Sequence, residues 1–443
     1  MPRATSWLVV CVSYVNFASF HAAREAYMAC KPALKRLGGY DERLLGVVDF
    51  FFCVSYAVGL AASGLVGRKF GARRTIATSF ALTAATAAGF GLVGVGRGGD
   101  ATAADAWAGA ARWHIPLWIA SGLVQSMAYP NFVALLSRVI EDGRRGSVMT
   151  VWVTASPAGD VAGLAIASFV LGRFGEARWE YVMFASAGFV LINLALFLLF
   201  VRDAEEGREG ESTALLEGDE RASGASFAEV SADVWKIPGV LDYCFSIMAL
   251  KVVVTSMLFW TPYYVDDRYD SSGWSIASTQ MFDVSIIIGI GLTAVLNRLT
   301  DRWVTIFMVS LLLGVAPLTY LSYAKDVGGA NACIFATGLL VGPAAALFAS
   351  TMSAELGARA KQYTRHVGIV GVISGFIDSA GALGSGVGQI LVGHVKSEYG
   401  WHTVFDMLAG FVVLGACCLV RLVRVEHKEK SSSWDRVAKS LVV

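Results

Sequence analysis

The stretch LLGVVDFFFCVSYAVGLAASGLVGRKFGARR, residues 44 to 74, sets the pattern by which this chain is read. A mainly apolar run with one acid, Asp49, reaches Gly67, and Arg68, Lys69, Arg73 and Arg74 then close it. Crossing a bilayer core takes about 20 such residues, and a basic cluster beside a span is retained on the cytoplasmic side. The unit recurs along the chain. Spans are predicted near 7–30, 44–66, 75–96, 114–137, 147–171 and 181–201, and again near 239–265, 275–296, 303–323, 331–353, 366–392 and 402–423. The series gives the fold class more than any single run does: an all-α membrane protein of twelve transmembrane helices in two six-helix halves.

Composition agrees. Of 443 residues, 55% are hydrophobic and 16% charged, which is too apolar for a soluble protein of this length. With both termini placed in the cytoplasm, 23 of the 36 Lys and Arg fall on that side, as an even number of spans requires. Most of the twelve Trp lie near span ends, where an interfacial belt belongs. The seven Cys sit mostly inside apolar runs without a CxxC pair, so neither a disulfide framework nor a zinc site is expected. The first run has one preceding Arg and no small-residue cleavage site, and it reads as helix 1.

The long polar stretch holding DAEEGREGESTALLEGDERASG (203–224) reads as a solvated linker. It divides the chain into an N-terminal bundle (1–201), a linker (202–237), a C-terminal bundle (238–424) and a cytoplasmic tail (425–443). Within the linker, Glu211 to Leu216 also match an acidic dileucine sorting pattern, although a plain linker accounts for them. The halves repeat at a shift of about 222 residues: Ala158, Gly159, Gly172, Trp179, Gly188 and Phe189 return as Ala380, Gly381, Gly393, Trp401, Gly410 and Phe411. Pro130 has a counterpart in Pro343. Such parallel repeats build carriers whose substrate site lies between the halves near mid-membrane. The small residues of GDVAGLAIAS (159–168) and GALGSGVGQ (381–389) are expected to serve close helix packing.

Two cations interrupt this apolar background, Arg24 in helix 1 and Lys251 in helix 7, the equivalent helices of the two halves. A cation inside a span costs about 2.5 to 3.5 kcal/mol on insertion scales and needs a cavity, an acid or the interface. One cation from each half would clamp a phosphate ester, Arg by bidentate bonds and Lys as a point charge. Snorkelling is the alternative for Arg24, and a salt bridge to Asp378 or Asp283 the alternative for Lys251. His21, one turn before Arg24, either bonds substrate or holds Arg24. Asp160, Asp283 and Asp378 suit proton or cation coupling, or neutralise the two cations while the site is empty. Asp378 is read in the neutralising role, and Asp283 is given none. No Walker loop, HExxH or GxSxG setting occurs, so the chain reads as a non-enzyme without a cofactor or metal.

FASFHAAREAYMACKP (17–32), the 44–74 stretch and GLVQSMAYPNFVALLSRVIEDGRRGSVMTVW (122–152) together resemble an organophosphate:phosphate antiporter of the major facilitator superfamily. WKIPGVLDYCFSIMALKVVVTSMLFWTPYYV (235–265), GPAAALFASTMSAELG (342–357) and GFIDSAGALGSGVGQ (375–389) are similar to its eukaryotic sugar-phosphate exchanger branch. The resemblance implies exchange of a sugar phosphate or glycerol 3-phosphate for inorganic phosphate across a lipid bilayer. It implies an endomembrane such as the endoplasmic reticulum rather than the plasma membrane, with no nucleic-acid partner. It also supports Arg24 and Lys251 as substrate-binding residues, and the candidate site is completed from the residues themselves by His21 and Asp378. The chain departs from the family pattern at several positions. Arg68 stands where the loop usually carries Asp, while NRLTDRWV (297–304) keeps Asp301 and Arg302. The family's Arg-Lys pair is Arg24-Glu25. Leu60 and Ala155 replace a Lys and a His of bacterial relatives. Other readings of the function are a facilitator or proton-coupled symporter for another organic anion, and a non-transporting membrane scaffold.

Overall fold

A computed structural model of the protein describes residues 3–95, 103–140, 148–149, 151–201, 232–270, 272–353, 356 and 369–441. The described chain is helical, and its helices follow the predicted spans closely. They are α1 (Arg3–Gly38), α2 (Glu42–Phe70), α3 (Ala72–Gly94), α4 (103–139), α5 (Ala155–Phe174) and α6 (Glu180–Phe200) in the first half. The second half has α7 (Val240–Tyr269), α8 (Ser272–Thr300), α9 (Trp303–Leu321), α10 (327–352), α11 (369–399) and α12 (401–441).

Several boundaries differ from the sequence reading for local reasons. α1 runs on past residue 30 to Gly38, because Lys31, Lys35 and Arg36 there all find acidic partners. α4 is interrupted by one π-helical turn, Ala110–His114, and by a turn at Met127 just ahead of Pro130. α11 and α12 meet at Gly400, whose φ of 80° is open to glycine without cost. Beyond residue 424 the expected tail continues α12 as helix to Leu441. Of the 202–237 linker, residues 202–231, with the dileucine match, lie outside the described residues.

Helix faces sort by solvent. Phe169, Ile192, Leu199 and Leu299 are more than 60% exposed, as lipid-facing positions are, whereas α7 is buried along most of its length. The small-residue runs pack helix on helix within each half. A methyl at Gly159 or Gly163 would collide with the backbone of Ala18 or Ala22 on α1, and one at Gly384 with the carbonyl of Met248 on α7. α5 therefore lies tight on α1, and α11 on α7.

Between the halves the closest approach is α2 on α11. A Cβ at Gly46 would sit 2.5 Å from the Gln389 carbonyl oxygen, and one at Gly393 the same distance from that of Glu42. Both points lie at the end of the molecule that carries the Gly39–Asp41 turn. There the Asp41 side chain caps α2, accepting from the Leu44 amide at 2.7 Å and from Trp107 Nε1 at 3.2 Å. Among the described residues, every ion pair joining the two halves gathers at this sealed end: Arg36 with Asp266, Arg43 with Glu398, Lys35 with Asp267, and Lys396 with Glu42. Lys31 lies deeper and is fully buried. Its ammonium holds Asp49 of α2 at 2.5 Å and donates to the Phe259 carbonyl of α7 at 2.9 Å.

Candidate substrate site

Because glycines bring α5 against α1, the polar side chains beside them are pressed together at mid-helix. Arg24 Nη2 donates to Asp160 Oδ1 at 3.2 Å and lies 2.8 Å from His21 Nδ1. His21 Nδ1 is also 3.1 Å from Asp160 Oδ1 and 3.0 Å from Ser156 Oγ. One carboxylate thus holds the guanidinium and steadies the ring. The Arg24 side chain stays 16% exposed, and its Nη1 makes no hydrogen bond to a described residue, which leaves that nitrogen to a bound anion, while Nε is buried. The Phe259 ring of α7 comes within 5.6 Å of the guanidinium carbon, which ties Arg24 to the other half of the protein.

On α7, Lys251 is half-buried and packs its Cγ against Gly381, where a Cβ would lie 3.1 Å away. It has no hydrogen bond and no ion pair among the described residues. Asp378, one turn before Gly381 on α11, lies within the electrostatic reach of Lys251 but makes no ion pair with it. The Lys251 charge also reaches His21 and Cys53, and Arg24 acts on the same two side chains, so both cations face one region between the halves. The two halves are built alike here, with Ser156 on α5 occupying the repeat position of Asp378 on α11.

His21, Arg24, Lys251 and Asp378 are therefore brought to one place, and Asp160 joins them as the partner of Arg24. The alternative reading of Lys251, a salt bridge to Asp378 or Asp283, finds no such pair among the described residues. The Lys251 side chain packs on Gly381 of α11, and the charges that act on Asp283 are Asp160, Glu25 and Arg24 of α5 and α1. Leu60 and Ala155, which stand where bacterial relatives carry basic side chains, are buried in packing. Two residues that sequence reasoning did not single out line the same space. Tyr56 of α2 is within electrostatic reach of Arg24 and Asp378, and Tyr129 of α4 within reach of Asp378. Neither hydroxyl bonds another described protein group.

Two bundles of six helices with a cation from each beside the space between them, Arg24 held by Asp160 and Lys251 without a partner among the described residues, define a secondary carrier of the alternating-access class. A sequence profile of the Major Facilitator Superfamily matches residues 7–377, and the chain belongs to that family. It is 29% identical to human sugar phosphate exchanger 3 over 407 residues, which cover 85% of this chain and 78% of the relative. It is 26% identical over 484 residues to an Arabidopsis thaliana protein named provisionally as glycerol-3-phosphate transporter 1, covering 96% of this chain and 88% of that one. Among solved structures, the xylose transporter of E. coli in a partially occluded inward-open conformation superposes with a TM-score of 0.66 at 15% identity, covering 93% of this chain and 98% of that one. A D-xylose–proton symporter gives 0.71 at 12% identity, covering 95% and 97%. These structures share the fold with this chain.

Proposed function

We propose that the protein exchanges a phosphate ester, a sugar phosphate or glycerol 3-phosphate, for inorganic phosphate by alternating access between its two bundles. The observation that carries this reading is Lys251, an ammonium within a span with no partner among the described residues, whose charge acts on the same side chains, His21 and Cys53, as that of Arg24. An unpaired cation at that depth is costly unless an anion completes it. A phosphate ester carries close to two negative charges and several acceptor oxygens, enough to engage both cations at once. Tyr56 and Tyr129 add hydroxyl donors on the side of Asp378. The names of the relatives support the same substrate class.

The same reading gives the cycle. With the carrier in an endomembrane and both termini in the cytoplasm, the sealed end faces the lumen, and the state described is closed on that side. Binding an anion neutralises Arg24 and Lys251, which lowers the cost of excluding water as the bundles rock. The test is the full-length protein in phosphate-loaded proteoliposomes challenged with a panel of phosphate esters and with non-phosphorylated organic anions. Phosphate efflux should follow only the esters. Efflux driven equally by the other anions would move the protein to a general anion facilitator.

A further inference from the structure

At the crossing of α1, α5 and α8 the molecule buries more acids than cations. Arg24 is taken by Asp160 at 3.2 Å and Lys31 by Asp49 at 2.5 Å. That leaves Glu25 and Asp283. Both are 0% exposed, and none of their four carboxylate oxygens receives a hydrogen bond from a described residue. The nearest cationic atom to Glu25 is Arg24 Nε at 3.5 Å, on a guanidinium already engaged elsewhere. Asp283 has no ion pair at all among the described residues. The charged groups that act on Glu25 are Asp160, Arg24 and Lys31, and those that act on Asp283 are Asp160, Glu25 and Arg24. Lys251 of α7 does not act on Asp283, and α10, which also packs on α8, carries no charged side chain.

An ionised carboxylate so placed would be an uncompensated charge in a medium of low dielectric, and such groups neutralise instead. Ionising both would also leave two negative charges unmatched beside the cations that receive an anion. The two acids sit on opposite halves, Glu25 on α1 and Asp283 on α8. Gln280, one turn before Asp283, donates to the Val161 carbonyl of α5 at 3.2 Å and so holds α8 against α5 next to Asp160. Separating the halves breaks this bond and brings water to Asp283. We infer that Glu25 and Asp283 are proton-binding groups that must be loaded for the sealed end to close, so that carrier orientation is coupled to protons. No trio of His, Cys, Asp or Glu among the described residues is spaced for a metal, which favours the proton over a metal cation as the occupant.

This rests on the alternating-access part of the proposed function, and its test needs no substrate. Spin labels are placed on the reconstituted full chain at Trp113→Cys and Tyr399→Cys, exposed positions at the sealed end on opposite halves, with Cys11, Cys417 and Cys418 replaced. Interspin distances are read across the carboxylate pH range, in potassium and in sodium salts. The sealed state binds more protons, so its population relative to the open state should fall by about tenfold per pH unit for each proton lost. The doubly neutral E25Q/D283N protein should remain sealed throughout. A pH-independent distance in the wild type overturns the inference, as does closure that follows sodium instead of pH. Should the double variant not fold, infrared spectra of the wild type decide. A deuterium-sensitive protonated-carboxyl band supports the inference, and its absence overturns it. A pH response in a protein that moves no phosphate ester would keep this inference and remove the proposed substrate.

Discussion

Lys31 offers a quantitative probe of how the sealed end is held. Its pair with Asp49 lies wholly within the first half, between α1 and α2, and survives any rigid rocking of the bundles. Its 2.9 Å bond to the Phe259 carbonyl crosses to the second half and breaks on opening. A hydrogen bond from a charged donor contributes about 1.5 to 3 kcal/mol net. The Lys31 ammonium also stands 5.3 Å from the Phe259 ring and 4.6 Å from that of Trp260, contacts worth about 0.5 kcal/mol or more each. Removing Lys31 alone would strand Asp49, so the variant is Lys31→Met with Asp49→Asn. Losing the hydrogen bond alone should shift the sealed-to-open ratio by about 10- to 150-fold, at a tenfold change per 1.4 kcal/mol. Cys53 reports the shift. It is buried against α11, with its Cβ 3.4 Å from where a Gly386 side chain would begin, and opening of the sealed end uncovers it. In a protein retaining only this thiol, a membrane-impermeant maleimide confined to the sealed-end side should alkylate the double variant faster by that factor. An unchanged rate, with expression and monodispersity intact, would refute the view that Lys31 latches the two halves.

Other outcomes follow from the same geometry. Arg24→Ala or Lys251→Ala should abolish phosphate exchange while the protein is still produced, and Lys251→Arg should keep part of it, because the charge survives and only its shape changes. Tyr56→Phe and Tyr129→Phe should each weaken ester binding, seen as a raised KM, without lowering the melting temperature, since neither hydroxyl is used in the described protein. Gly159→Val or Gly384→Val should cost about 1 to 3 kcal/mol of stability by overpacking the α1–α5 or α7–α11 seam, whereas Gly188→Ala, with nothing within 4 Å of the added methyl, should be neutral in the same thermal denaturation series. Glu398→Gln, at a half-exposed pair with Arg43, should change the Cys53 alkylation rate only slightly, because exposed ion pairs contribute about 0 to 1 kcal/mol.

The helices were legible because lipid demands long apolar runs, and their order followed from the basic residues that punctuate them. The packing role of the glycines was legible too, and Gly159, Gly163 and Gly384 do bring backbones into contact. Gly172, Gly188 and Gly410, which recur or are matched in the repeat, would each accept a Cβ with nothing within 4 Å of it, and nothing in the structure explains them. Arg24 and Lys251 stood out from sequence because charge is rare inside a span. Their partners did not. Asp160 meets Arg24 only because α5 lies on α1, although the glycines on either side of Asp160 were the clue to that contact. Lys31, just before Pro32, read as the end of a span, since its partner Phe259 is 228 residues away in the chain. Tyr56 and Tyr129 could not be chosen among 14 tyrosines without knowing which hydroxyls face the space between the halves.

The central claim is that two cations, one from each bundle, need a bound anion before the carrier can reorient. Uptake of labelled phosphate is measured in proteoliposomes containing either unlabelled phosphate or none, with membrane potential clamped and pH held equal on both sides. The account predicts fast uptake into loaded vesicles and slow uptake into empty ones, with both lost in Arg24→Ala and Lys251→Ala. Empty vesicles filling as fast as loaded ones would contradict it, and would mean that Asp160 and Asp378 neutralise the site unaided.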